Sequence, residues 1–152
     1  MHTIKNEYPA FGGNYTVIHH TQFINELVGA GKISLQVTSD HYSVTFHDPC
    51  YLGRHNKVFD APREALKSAG ALTIEMPRNS AKSFCCGAGG AQMWKEEEHG
   101  TEGVNANRFR EAQTTGKGTL AVGCPFCMIM LSDAATAAKS EMQVRDVAEI
   151  VA

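Results

Sequence analysis

Cys50, the adjacent Cys85 and Cys86, and the pair Cys124 and Cys127 are the residues of this chain best suited to chemistry, spaced Cys-x34-Cys-Cys-x37-Cys-x2-Cys. Thiolates are soft metal ligands and good nucleophiles, so such a set suits metal binding or thiol redox chemistry. Neighbouring Cα atoms lie about 3.8 Å apart, below the roughly 4.4 to 6.8 Å that a disulfide spans, which makes Cys85 and Cys86 poor partners for each other. As ligands they face no such limit. Five is also an odd number for a disulfide framework, and a chain of 152 residues needs no staples. Two spare thiols buried in a core would be the plain alternative; the placement of all five where a β-like run gives way to a turn or a helix argues against it.

The surroundings of these thiols strengthen the reading. Cys124-Pro125-Phe126-Cys127 at a helix start puts thiolates in the positive end of the helix dipole, which favours their ionised form. Gly87-Ala88-Gly89-Gly90 follows Cys86 directly, and so bare a backbone can wrap a cluster and aim N–H groups at its sulfurs. It lacks the glycine spacing of a dinucleotide fingerprint, so a phosphate cradle is the weaker interpretation. A CxxC pair alone is shared by zinc ribbons, thioredoxin-like enzymes and iron-sulfur proteins.

His47 and His55 flank Cys50 and are candidates for hydrogen bonds to sulfur or for replacing a ligand, although strand-end histidines are more often surface or satisfied groups. Arg54 reads either as a counter-charge to the thiolates or as a solvated arginine. His19 and His20 mark a strand end, Met93 and Trp94 read as packing residues, and Lys95-Glu96-Glu97-Glu98 as a solvated helix face.

Positioning these groups requires elements, and the periodicity predicts an α/β layer sandwich with a mostly parallel sheet. Strands are expected at Tyr15–His20, Ser34–Thr38, His41–His47, Leu72–Met76 and Thr119–Gly123, with a last one beginning at Val144. A two-residue turn at Ser39-Asp40 makes the second and third a hairpin, adding one antiparallel strand. Helices are expected after a Thr21 cap with Gly29 and Gly31 as stops, after an Asp60 cap, over 91–98, 104–115 and 124–138, and at the C-terminus. In a parallel sheet the strand ends share one edge, so thiols separated by 34 and 37 residues can converge there.

With 43% hydrophobic and 20% charged residues the chain has the composition of an ordinary globular domain, not of a disordered, collagen-like or coiled-coil protein. A net charge of −2 supplies no basic field, which argues against nucleic acid as a partner. No apolar run approaches the roughly 20 residues that span a bilayer. The first residues, Met1 to Asn6, lack a signal peptide's apolar stretch, so the expected location is the cytoplasm.

Three stretches, His47-Asp48-Pro49-Cys50-Tyr51-Leu52-Gly53-Arg54, Cys85-Cys86-Gly87-Ala88-Gly89-Gly90 and Cys124-Pro125-Phe126-Cys127, together closely resemble the cysteine-rich CCG domain found in heterodisulfide reductase. Related domains occur in iron-sulfur subunits of glycolate oxidase, glycerol-3-phosphate dehydrogenase and lactate-utilisation systems. Met93-Trp94 and the run Asn105 to Arg110 bring it nearest to membrane-associated iron-sulfur oxidoreductases linked to electron-transfer flavoprotein. The likeness runs from about Val44 to the C-terminus. It implies a Rossmann-like three-layer domain in which Cys50, Cys85, Cys86, Cys124 and Cys127 ligate an iron-sulfur cluster, a [4Fe-4S] group of noncubane type in heterodisulfide reductase. Gly87, Gly89 and Gly90 are then the cofactor-binding loop.

Family members usually carry two such motifs, and this chain has one. The resemblance therefore makes 1–33 the tail of a preceding CCG repeat packed on the domain, 34–152 the domain itself, and the whole a C-terminal fragment. The implied function is electron transfer within a larger heterodisulfide-reductase-like oxidoreductase. Its partners would be iron-sulfur or flavoprotein subunits, electron-transfer flavoprotein among them, and the missing N-terminal part. Its place would be the cytoplasm, at the inner membrane face through the full-length protein. The isolated domain is expected to be inactive, and its cluster to be open to loss or to replacement by zinc. Two other functions compete. One is a glutaredoxin-like thiol-disulfide oxidoreductase using the CPFC motif, disfavoured because only 25 residues follow Cys127. The other is a structural zinc site, which leaves one thiol spare.

Overall fold

In the computed structural model, residues 1–35, 42–96 and 100–152 are described. The protein is an α/β three-layer fold. Its described strands, β1 (Ser43–Phe46), β2 (Leu72–Ile74), β3 (Thr119–Val122) and β4 (Gln143–Asp146), form one sheet in the order β2-β1-β3-β4, every pairing parallel. Its helices are α1 (His2–Asn6), α2 (His20–Gly29), α3 (Cys50–Asn56), α4 (Asp60–Ser68), α5 (Val104–Gln113), α6 (Pro125–Ala137) and α7 (Val147–Val151).

The strand order dictates the layers. From β1 the chain turns one way to β2 through α4. From β3 it turns the other way to β4 through α6. Right-handed crossovers in opposite directions put their helices on opposite faces. Alternation along β3 separates the two halves of the core: Leu120 and Val122 face α5 and α6 with Phe109, Ala112, Leu131 and Ala134, while Ala121 joins Val44, Phe46, Leu66 and Val147 beneath α4 and α7. Burying each large side chain is worth roughly 1.5 to 3 kcal/mol.

Several expectations needed revision. Tyr15–His20 is not a strand: His19 instead caps α2, accepting from the Thr21 backbone N–H, and Gln22 closes the capping box. The cap is therefore His19 rather than Thr21. The segment has no strand to pair with, because His19 reaches the Gly123 carbonyl and His20 reaches Asp146, which carries it across the ends of β3 and β4. Ser34 and Leu35 lie outside any strand, and the remainder of the expected hairpin, 36–41, falls outside the described residues, so the described sheet has no antiparallel member. Phe59, not Asp60, precedes α4, leaving the Asp60 carboxylate in the first turn, where it faces the dipole favourably. The segment expected as a helix over 91–98 begins as a 3₁₀ stretch, Gly89–Trp94, with Gly90 and Ala91 left-handed at φ 65° and 62°. Residues 97–99, which include most of the expected acidic face, are outside the described set. α3 has no counterpart in the periodicity.

Residues 1–33 do lie against the rest of the chain: α2 packs on α4 and α7, and α1 on α3.

Candidate metal centre

The strand order reverses direction between β1 and β3, and in open parallel sheets the crevice at the carboxyl ends beside such a reversal is where ligands bind. The cysteines meet there. β1 runs through His47, whose N–H still bonds the Ala121 carbonyl, to Cys50 at the first turn of α3. β3 delivers Cys124 as the N-cap of α6, with Pro125 following it and Cys127 one turn in. Cys85 and Cys86 arrive on the long loop after β2, held by Arg54, which donates to the Ser83 carbonyl at 2.6 Å.

Cys86 and Cys127 are buried, at 4% and 2% exposure, with sulfurs 3.4 Å apart. The other three thiols are half-buried, and all five are free. Thiol contacts run in one chain: Cys50 to Cys85, Cys85 to Cys86, Cys86 to Cys127 and Cys127 to Cys124. Cys50, Cys86, Cys124 and Cys127 line a cavity of about 440 Å³ together with Gly89 and Gly90, while Cys85 lies behind Cys86 and outside that lining. A Cβ at Gly89 or Gly90 would meet nothing within 4 Å, so this wall of the cavity stands open. Gly87 is different: with φ +93° and Met130 and Val104 both 3.3 Å from a would-be Cβ, only glycine fits. Its N–H donates to the Cys85 sulfur at 3.3 Å.

These contacts divide the thiols electrostatically. Cys85 is held far below the ordinary thiol value by hydrogen bonds from Cys50 and Cys86, reinforced by the N–H groups of Gly87 and Gly89. Cys124 is lowered to about 6, chiefly by the Cys127 thiol and then by the N–H groups of Cys127 and Phe126 at the start of α6. Cys50 and Cys127 are pushed far up, Cys50 by its bond to Cys85 and by burial, Cys127 by its bonds to Cys124 and Cys86. A hydrogen bond from Cys127 pulls Cys86 down, but Cys85 and burial more than offset it. Thiols this crowded cannot all ionise unless positive charge lies among them. The donor set therefore fits a soft metal group, and its fifth sulfur exceeds the four that tetrahedral zinc takes.

Sequence reasoning missed the buried polar frame behind the thiols. The Asp48 carboxylate accepts both Nη groups of Arg63, at 2.8 and 3.0 Å, and the Ser80 N–H at 2.7 Å, which ties β1 to α4 and to the cysteine-bearing loop. On α5, Arg108 and Glu111 interrupt the apolar stripe made by Phe109 and Ala112, and a charged pair at such positions is the signal that could have revealed them. His47 is buried, and burial followed by the nearby Arg108 lowers it to about 3, so the ring is neutral. It is thus a satisfied histidine, as expected, but one ring nitrogen also lies within 4.8 Å of the Cys86 and Cys127 sulfurs. His55 stays on the surface beside Tyr51 and His2. Arg54 is exposed and serves the Ser83 carbonyl. Met93 packs against the core as expected, whereas Trp94 is 71% exposed and meets Phe126 edge-on at the cavity rim.

The family model for the cysteine-rich CCG domain matches residues 44–132. The chain belongs to the CCG domain family. It is 46% identical over 151 residues, 97% of its length, to the "Probable iron-sulfur-binding oxidoreductase FadF" of Bacillus subtilis, and 41% identical over 97% of its length to the EtfAB:quinone oxidoreductase of Syntrophomonas wolfei. To a subunit of the dihydromethanophenazine:CoB–CoM heterodisulfide reductase of Methanosarcina barkeri it is 39% identical over 91% of its length. The CCG chain spans 21%, 22% and 34% of these three relatives. Among the described residues no helix is long and apolar enough to cross a membrane.

Proposed function

We propose that this CCG domain binds an iron-sulfur cluster through Cys50, Cys85, Cys86, Cys124 and Cys127 and relays electrons within a larger heterodisulfide-reductase-like oxidoreductase. The observation that carries it is the single contiguous group of five free thiols at the sheet's reversal point. Bound there, the cluster supplies one-electron redox chemistry. The chain's own part is to present sulfur, to aim the N–H groups of Gly87 and Gly89 at Cys85, and to line the cavity wall with Gly89 and Gly90. Ordinary [4Fe-4S] clusters use four cysteines, so a fifth beside them favours the noncubane form.

Names of the relatives support the wider setting: iron-sulfur or flavoprotein partners, with electron-transfer flavoprotein foremost, in the cytoplasm at the membrane face where quinone is reached. On this reading 1–33 is the tail of a preceding CCG repeat, 34–152 is the domain, and the missing N-terminal part holds the rest of the machinery.

Anaerobic reconstitution with iron and sulfide tests the proposal. The expected result is bound iron and sulfide with charge-transfer absorption near roughly 400 nm. Protein that takes up no iron, or that holds stoichiometric zinc in its place, ends it. One observation favours a second reading: Cys124, with its pKa lowered to about 6, is poised as a nucleophile. Insulin reduction by the metal-free domain would support a thiol-disulfide oxidoreductase instead.

A further inference from the structure

Arg108 is the largest fully buried side chain among the described residues, with no exposed surface. Its Nη1 donates to the Arg78 carbonyl at 2.8 Å and to Glu111 Oε2 at 2.9 Å, its Nε donates to His47 Nδ1 at 3.0 Å, and its Nη2 is buried without a partner. Sealing a cation so deeply is costly unless its position does something. What it does is decided by donor chemistry. A guanidinium has five N–H donors, no acceptor, and does not give up its proton in a protein. The Nδ1 that receives its bond therefore carries no hydrogen, and the proton of the neutral ring must sit on Nε2. The ring is 1% exposed, and the sulfurs of Cys86 and Cys127 lie within ligand distance of it.

We propose that Arg108 locks His47 as an Nε2–H donor to the sulfurs of Cys86 and Cys127, making His47 a positioning residue that steadies their negative charge rather than a sixth metal ligand. The consequence for redox poise rests on the cluster reading above; the tautomer does not. Hydrogen bonds to ligand sulfur raise the reduction potential of a cluster, because they stabilise the more electron-rich state.

Two measurements on the full chain test this. In the reduced, metal-free wild type, long-range ¹H–¹⁵N NMR at neutral pH should find His47 Nε2 protonated and Nδ1 bare, and Arg108→Met should release a mixture of tautomers. In reconstituted protein, His47→Leu should lower the ratio of reduced to oxidised cluster at fixed ambient potential about tenfold, equivalent to 59 mV for a one-electron couple. His47→Gln, whose amide N–H still donates, should restore most of it. A protonated Nδ1 in the wild type overturns the proposal. So does an equal potential in wild type, His47→Leu and His47→Gln, and so does strong nitrogen coupling to iron in pulsed EPR, the mark of a ligand. If the wild type takes up no iron, the cluster reading fails, and the tautomer measured without metal still decides this inference by itself.

Discussion

The two faces of the sheet are filled with different materials. On the side of α5 and α6 the core holds Met76, Met142, Cys86 and Cys127, with Met93, Met128, Met130 and Cys124 packed around them. On the side of α4 and α7 it is Val44, Phe46, Ala65, Leu66, Val147 and Val151, and no sulfur enters among the described residues. Methionine and cysteine are polarizable, and methionine is flexible enough to fill irregular gaps. Branched aliphatics hold defined rotamers and pack tightly. The difference teaches that the metal centre is not an appendage on the fold: its ligands are the upper edge of the adaptable half-core, and the stiff half fixes where that edge stands.

The sharpest way to break the comparison is at the shared edge. Cys127→Ser should cut iron uptake on reconstitution by more than about 10- to 100-fold, since even neighbours of metal ligands are worth that much; iron analysis against protein concentration checks it. Undiminished uptake would show the centre to be independent of the sulfur-rich half. Asp48→Ala should come next in size, costing about 3 to 5 kcal/mol in urea unfolding, because it strands the Arg63 guanidinium where water reaches it poorly. Leu66→Ala, at the middle of the stiff half, should cost about 2 to 5 kcal/mol while leaving iron bound per folded molecule unchanged.

Acid should act on the sulfur-rich side through Glu111. Burial alone would raise this carboxyl, but its bonds from Arg78 and Arg108 outweigh burial and hold it below its ordinary 4.5. In the window under pH 4.5 the unfolded chain binds a proton that the folded one refuses, so Glu111's contribution is whole above that pH and declines as pH falls through the lowered value. Urea midpoints followed downward from pH 6 should decline on this account, and Glu111→Gln should flatten the decline. The smallest effect belongs to Met128→Leu, a volume-conserving exchange at the adaptable core, expected to cost less than about 1.5 kcal/mol; a larger loss would mean that this half is as exacting as its counterpart.

Much of this was legible in the chain. Thr119–Val122 followed by Gly123, Cys124 and Pro125 announces a buried strand, a turn and a helix start, because an apolar run and a proline in the first turn are local signals. The thiols were legible for the same reason, as their spacing and glycine neighbours lie in short stretches. What escaped was long-range. Tyr15 to His20 has strand-like residues, yet its course was set by Gly123 and Asp146, more than a hundred positions away. Asp48 meets Arg63, and His47 meets Arg108, through the fold, so neither pairing leaves a trace in periodicity.

Parallel pairing also sets a timetable for assembly. Since β3 must slot between β1 and β4 before Cys124 and Cys127 can stand beside Cys50, a ribosome making this protein finishes the earliest thiol long before the latest exists. Iron offered to the growing chain would find scattered thiols with nothing to hold it. Delivery belongs after synthesis, to a finished protein whose cavity mouth is already in place.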